Sequence, residues 1–189
     1  MSNQVSSLPR RELNPRQIET VDRLLAAGAE ELRTVGVDAL TIRTVALRAG
    51  VSAATAYTYF ASKNHLFAEL FWRRLLAQEF EPEGRTRLQR VQSVGRAMSR
   101  MLEDAPEVAA GARSALLSTD PDVVRLRARI GTEFVRRFRA AMGDDHDDLV
   151  DALTLMFTGA LLQAGMELTT YPEMSRRLDA AAAAIMKGH

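Results

Sequence analysis

All six prolines of the chain, Pro9, Pro15, Pro82, Pro106, Pro121 and Pro172, stand where the helical spacing of apolar residues stops. Proline brings no N–H to a helix interior and its ring clashes with the preceding turn, so prolines placed this way separate helices. Ile18, Val21, Leu24, Leu25 and Leu32 form one stripe after Asn14-Pro15, a capping residue followed by proline at the first helical position. This predicts a first helix ending near Gly36. Breaks around Pro82, Pro106, Pro121, Gly143 and Pro172 divide the rest into helices of ordinary length. Alternating β-branched runs bounded by tight-turn dipeptides do not occur. The expected fold is all-α, with about nine helices.

A length of 189 residues fits one compact unit or two small modules and rules out a large multidomain enzyme. With 47% hydrophobic and 26% charged residues the chain can form a core, which excludes a disordered or fibrous polymer. Cysteine is absent, so disulfide scaffolds, thiol nucleophiles and cysteine-ligated zinc are excluded. The start, MSNQVSSLPRREL, has no apolar signal core, and no apolar run approaches the ~20 residues needed to span a bilayer. A cytoplasmic protein without membrane contact is expected.

The residues for catalysis do not assemble in sequence. His65, His146 and His189 are scattered, none at the i, i+4 spacing of a helical metal site. The cluster Asp144, Asp145, Asp147 and Asp148 lacks the alternating ligand order of a calcium loop and reads as the acidic start of a helix. None of the phosphate-loop, dinucleotide or nucleophile-elbow patterns occurs. The chain is therefore expected to be no enzyme, with no metal and no cofactor.

The net charge of +1 hides an uneven distribution. Between Thr41 and Ala68 lie Arg43, Arg48 and Lys63 with no carboxylate, and upstream Arg10, Arg11 and Arg16 face only Glu12. A polyanion meets no negative charge along this stretch of sequence. Within it, Thr41 can cap a short helix whose inner face is Val45, Ala46 and Ala49; Gly50 supplies a left-handed turn; Ser52 can cap a second helix. Small Ala46 lets two helices cross closely, while Val51, Ala56 and Tyr59 recur where the second can pack on the first. The pattern is helix, tight turn, helix, in a basic setting, and it points to DNA binding.

The run T-I-x-x-V-A-x-x-A-G-V-S-x-x-T-x-Y-x-Y-F-x-S-K, from Thr41 to Lys63, resembles the amino-terminal domain of TetR-family transcriptional regulators. The resemblance implies a three-helix DNA-binding domain over residues 1–62. A larger helical domain over 63–189 would then bind a small effector and form a homodimer. It further implies that Thr41 and Arg43 meet phosphate. Ser52, Ala53, Ala54, Thr55 and Thr58 would lie at the major groove, with methyl groups able to touch thymine and hydroxyls able to bond either way. Tyr57 and Tyr59 would offer hydroxyls to phosphates or bases, and Lys63 would hold a backbone phosphate. Where the family often has a basic residue or glycine after the turn serine, this chain has Ala53-Ala54, and its recognition helix carries no cation. Heavier reliance on the arm Arg10, Arg11 and Arg16 follows.

A fourth helix from Lys63 to about Gln78 carries Leu66, Phe67, Leu70, Phe71 and Leu75 on one face and links the two halves. Motion of that helix would change the separation of two recognition helices, whose half-sites lie ~34 to 36 Å apart, so that effector binding disfavours DNA. The inward stripes nominate Met98, Met101, Leu102, Leu116, Leu117, Phe134, Phe138 and Phe157 as pocket residues, although Met and Phe at helical spacing are core far more often than a ligand box. Arg113 and Gln163, polar among apolar neighbours, are the candidates to orient a ligand, and the Met, Leu and Phe content favours an apolar, lipid-like one. Gly159, Ala160 and Gly165, with the tail face Leu178, Ala181, Ala182, Ile185 and Met186, suggest the dimer contact. Repression of a palindromic double-stranded operator is the family's usual mode. The alternative is a helical small-molecule-binding or interaction protein without sequence-specific DNA binding.

Overall fold

A computed structural model describes residues 14–78, 80–143 and 146–187. Nine helices occur among the described residues, with no strand: α1 Pro15–Ala39, α2 Ile42–Arg48, α3 Ala53–Tyr59, α4 Lys63–Ala77, α5 Arg87–Glu103, α6 Pro106–Leu116, α7 Pro121–Met142, α8 Asp147–Gly165 and α9 Tyr171–Ile185. The all-α expectation holds, and its punctuation is visible in the caps. The Asn14 side chain accepts from the Gln17 N–H at 3.0 Å while the Gln17 side chain accepts from the Asn14 N–H at 2.9 Å. This reciprocal box satisfies two amide donors that a helix start would leave open. The regular part of α1 stops at Gly36, whose φ of 76° is a conformation that glycine reaches without a Cβ clash.

By packing, the chain forms two compact units, each assembled from two stretches. The first runs through Arg73 and takes in Ala110–Arg127; the second comprises Arg74–Ala109 and Ala128–His189. In the first, Val21, Leu24 and Leu32 of α1, Ile42 and Val45 of α2, Phe60, and Leu66 and Phe67 of α4 are buried. Ile18 belongs to the same sequence stripe yet is 48% exposed, because it sits in the first turn, ahead of the buried run that begins at Val21. Close approach needs small residues at two places. A Cβ on Gly28 would stand 3.0 Å from the Leu66 side chain, and one on Gly111 of α6 would stand 3.1 Å from the Phe67 ring.

In the second unit α5 packs on α9 and α8 packs on α9. Val91, Val94, Met98, Met101 and Leu102 of α5 are buried, as are Met174, Leu178 and Ala182 of α9. Phe157 of α8 meets Phe134 edge-on with centroids 5.1 Å apart and Phe138 at 6.1 Å. Arg137, on the same helix as Phe134 and Phe138, is 1% exposed. Its guanidinium donates to Glu133 at 2.8 Å, to the Leu75 carbonyl at 2.6 Å and to the Gln78 side chain at 3.2 Å, and it lies over the Phe80 ring. A fully buried charge needs such partners to be tolerated.

Candidate nucleic-acid interface

The turn between α2 and α3 is fixed at both ends by backbone and side-chain hydrogen bonds. Thr41 accepts from the Thr44 N–H at 3.1 Å and starts α2. At the other end Val51 N–H reaches back to the Ala46 carbonyl at 3.0 Å and Gly50 N–H to Leu47 at 3.2 Å. This double closure requires a left-handed residue, and Gly50 provides it with φ 66°. Two residues later Ser52 accepts from the Thr55 N–H at 3.0 Å and starts α3. Ala46 and Ala56 are both almost wholly buried where α2 and α3 pack, so the small side chains set the spacing of the two helices.

This packing leaves one side of α3 bare. Ala54, Tyr57 and Thr58 are exposed, at the i, i+3, i+4 spacing of one helix face, with Ser52 exposed at its start; Ala53, Thr55 and Tyr59 are half-buried beside them. Thr41 and Arg43 are exposed at the start of α2, and the Arg43 side chain has no partner among the described residues. Arg10 and Arg11 lie outside the described residues. Arg16, at the head of α1, is exposed.

Two of the expected cations are engaged elsewhere. Arg48 donates to Glu31 at 2.7 Å, a carboxylate from α1 seventeen residues away, so the stretch that is free of acids in sequence is not free of them in space. The Arg48 guanidinium holds the buried Glu31 below the usual carboxylate range, against the opposing effect of burial. Lys63 is half-buried and its ammonium donates to the carbonyls of Val37 at 3.1 Å and Asp38 at 3.4 Å, at the end of α1.

Behind α3, the start of α4 is tied to the α6–α7 connection. Ser62 accepts from the His65 N–H at 3.1 Å and donates to Asp120 at 2.6 Å, and Ser114 donates to Asn64 at 3.1 Å. His65 is 3% exposed, with Nδ1 lacking a hydrogen bond and 3.8 Å from the Asp122 carboxylate. Burial lowers its pKa, opposed by the charges of Asp122 and Asp120. Burial pushes Asp120 up, but the Ser62 hydroxyl and the Asp122 N–H prevail and hold it low. These partners lie some fifty residues apart along the chain, a separation at which periodicity carries no signal.

The proposed effector residues are dispersed. Met98, Met101, Leu102, Phe134, Phe138 and Phe157 are all buried and packed into the second unit's core. Arg113 is exposed on α6, Leu117 is 82% exposed just after it, and the side chain of Leu116 lies outside the description, as do Asp144, Asp145 and His189. Gln163 borders an open cleft of about 340 Å³ between α8 and α9, with Leu155, Met156, Gly159, Met174 and Arg177. A second cleft, of about 700 Å³, lies among Gln78, Phe80, Glu81, Ser93, Ala97 and Arg100. Leu178, Ala182 and Met186, expected on a dimer surface, are instead buried within the unit because α9 lays that face against α5. The outward apolar row is on α8: Leu155, Leu162 and, just beyond its end, Met166.

The model of the family described as bacterial regulatory proteins, tetR family, matches residues 24–70, which include α2, the turn and α3. An uncharacterized HTH-type transcriptional regulator of Mycobacterium tuberculosis is 40% identical over 179 residues, covering 93% of this chain and 84% of that protein. Among solved structures, a TetR transcriptional regulator from Rhodococcus sp. RHA1 superposes with a TM-score of 0.74 at 21% identity, over 92% of this chain and 98% of that one. Thermus thermophilus FadR, a TetR-family transcriptional repressor solved in complex with lauroyl-CoA, does so at 0.62 and 20% identity, over 88% and 93%.

Proposed function

Because this chain belongs to the TetR family of bacterial transcriptional regulators, we propose that it is a repressor whose two subunits each lay α3 in the major groove of a palindromic operator. A small apolar effector releases it. Residues 1–62 meet DNA, and residues 63–189 bind effector and dimerise. The observation that carries this reading is the hydrogen-bonded turn around Gly50, which leaves the face Ala54, Tyr57 and Thr58 bare, together with an exposed Arg43 that has no partner among the described residues. A helix held this way can enter a groove ~12 Å wide without reorganising. Thr41 and Arg43 position the protein on phosphate, with Tyr57 and Tyr59 offering hydroxyls to phosphates or bases. Lys63 already serves the end of α1 and has one ammonium hydrogen left for a phosphate oxygen.

The homodimer forms, on this reading, through the outward row of α8, Leu155, Leu162 and Met166, where bulky apolar side chains are exposed around Gly159. An apolar effector is supported by the Leu155, Met156 and Met174 lining of one cleft and by Phe80 in the other, and by lauroyl-CoA in a repressor of the same fold. Among the described residues no helix is long and apolar enough to cross a membrane. We place the protein in the cytoplasm with its DNA, as a binding protein and not an enzyme.

Sequencing the DNA fragments retained by the pure protein, at two salt concentrations, tests the reading. A two-fold palindrome should emerge with half-sites about one helical turn apart, and retention should fall steeply with salt. A protein that retains no duplex at low ionic strength refutes it. Lipophilic compounds should then raise the melting temperature and release the fragment together.

A further inference from the structure

Each base pair in the major groove has a preferred side-chain reader: arginine or lysine for guanine, asparagine or glutamine for adenine, a carboxylate for cytosine, and a methyl group for thymine. The recognition helix α3, Ala-Ala-Thr-Ala-Tyr-Thr-Tyr, contains none of the first six. Bidentate reading of guanine or adenine from α3 is therefore closed. What remains is hydroxyls and methyls, and the hydrogen bonds within the helix restrict the hydroxyls.

Thr58 donates its one hydroxyl proton to the Ala54 carbonyl at 3.0 Å, so its oxygen has only lone pairs left to offer. The Ser52 and Thr55 hydroxyls are 2.8 Å apart, and one of their two protons lies between them, while the Ser52 oxygen also accepts the Thr55 N–H. The Thr58 hydroxyl thus does not bond either way, as residue type alone allows, while Ser52 and Thr55 keep one free proton between them. With the Thr58 hydroxyl proton held on the backbone, that residue can offer a base edge its methyl and an acceptor oxygen but no donor, one helical turn from the exposed methyl of Ala54.

We infer that Ala54 and Thr58 are the specificity-determining residues of α3, selecting the half-site through the C5-methyl groups of thymine. The inference rests on the proposed DNA-binding reading and names the chemistry of that same face. It assigns hydrogen-bond donation to guanine no part in the choice of half-site by Ala54 and Thr58. Tyr57 keeps a single hydroxyl that can anchor on phosphate or a base edge without the two-point match that discriminates bases.

The test uses the unmodified full-length chain and the duplex it retains in selection. Each thymine is replaced singly by deoxyuridine, which deletes the methyl and leaves base pairing and every polar group in place. One or two positions in each half-site should lose about fourfold in affinity, the effect of one buried methyl, with the other positions unchanged. Replacing such a thymine by 5-methylcytosine should retain more binding than replacing it by cytosine.

Two variants of similar size then separate the groups on Thr58. T58V keeps the methyl and should keep the uridine sensitivity, whereas T58S keeps the hydroxyl and should lose it at one position. Binding that depends on salt and sequence but ignores every uridine substitution overturns the inference and leaves the DNA-binding reading standing. So does a selected half-site without thymine on either strand. Failure to bind any duplex overturns both.

Discussion

Replacing Arg137 by methionine tests whether a buried cation organises the second unit. The side chain is 1% exposed, and its donors reach Glu133, the Leu75 carbonyl and Gln78. Methionine fills much of the stem volume, so the lost quantity is polar. Removing one partner of a buried ion pair costs about 3–5 kcal/mol because a charge is left without compensation. Here Glu133 retains Arg136, which grips both carboxylate oxygens at 2.6 and 2.7 Å, and that brings the Coulombic part toward the low end. The Leu75 carbonyl loses its 2.6 Å donor, which adds about 1–3 kcal/mol if water does not replace it. A net loss of about 3 kcal/mol follows, equal to a fall of about 1–2 M in the urea midpoint for a domain of this size. Far-ultraviolet circular dichroism reads the whole chain, while fluorescence of Trp72, the one tryptophan, reads the first unit. A fall below about 0.5 M at unchanged slope would refute the assignment. So would full recovery in R137K, since an ammonium cannot span the same set of acceptors.

Three further outcomes are expected. Glu31 has a folded-state pKa below its ordinary 4.5, so its pairing stabilises above that value and is lost as pH falls through the folded one. The melting-temperature gap between the wild type and E31Q should therefore be constant near neutrality and close below about pH 4.5; a gap that does not change with pH refutes the pairing. His65 is held neutral by burial, with a folded pKa below the ordinary 6.5, while the unfolded chain protonates near that value. Stability of the first unit should thus decline as pH drops from 7 to 5.5, by at most one proton's slope, and H65Q should lose that component of the decline. Equal slopes in the two proteins would show that His65 does not contribute. Finally, R43Q should weaken binding to all duplexes alike and reduce the slope of log affinity against log salt by about 1; a change confined to one sequence would make Arg43 a base reader.

The helices were readable because their signals are local. Asn14-Pro15, the Thr41 and Ser52 caps and the Ala46-to-Gly50 spacing act within a few residues, and each appears in the structure as a hydrogen bond or a close packing. Periodicity also tells which face of a helix is apolar, and Phe134 and Phe138 followed it into the core. Arg137, three residues after Phe134, falls on that same helix face. Residue type argued the other way, because arginine is almost never fully buried unless paired. The charges were the part that sequence could not place. Glu31 returns under Arg48, and Asp120 and Asp122 return to Ser62 and His65, through folding of segments that no local pattern links. Leu117 shows the converse, an apolar residue in a plausible stripe that stands 82% exposed just past the last turn of α6.

The stretch Ala110–Arg127 is part of the same packed body as α1 to α3, with Gly111 seated on the Phe67 ring and Asp120 clasping Ser62. The reading head is therefore not a cassette that can be cut off at its carboxyl border and grafted onto another protein. During biosynthesis it must wait for about fifty more residues to leave the ribosome before its last wall arrives. A chimera built at residue 62, or even at 73, would inherit the turn without the masonry behind it.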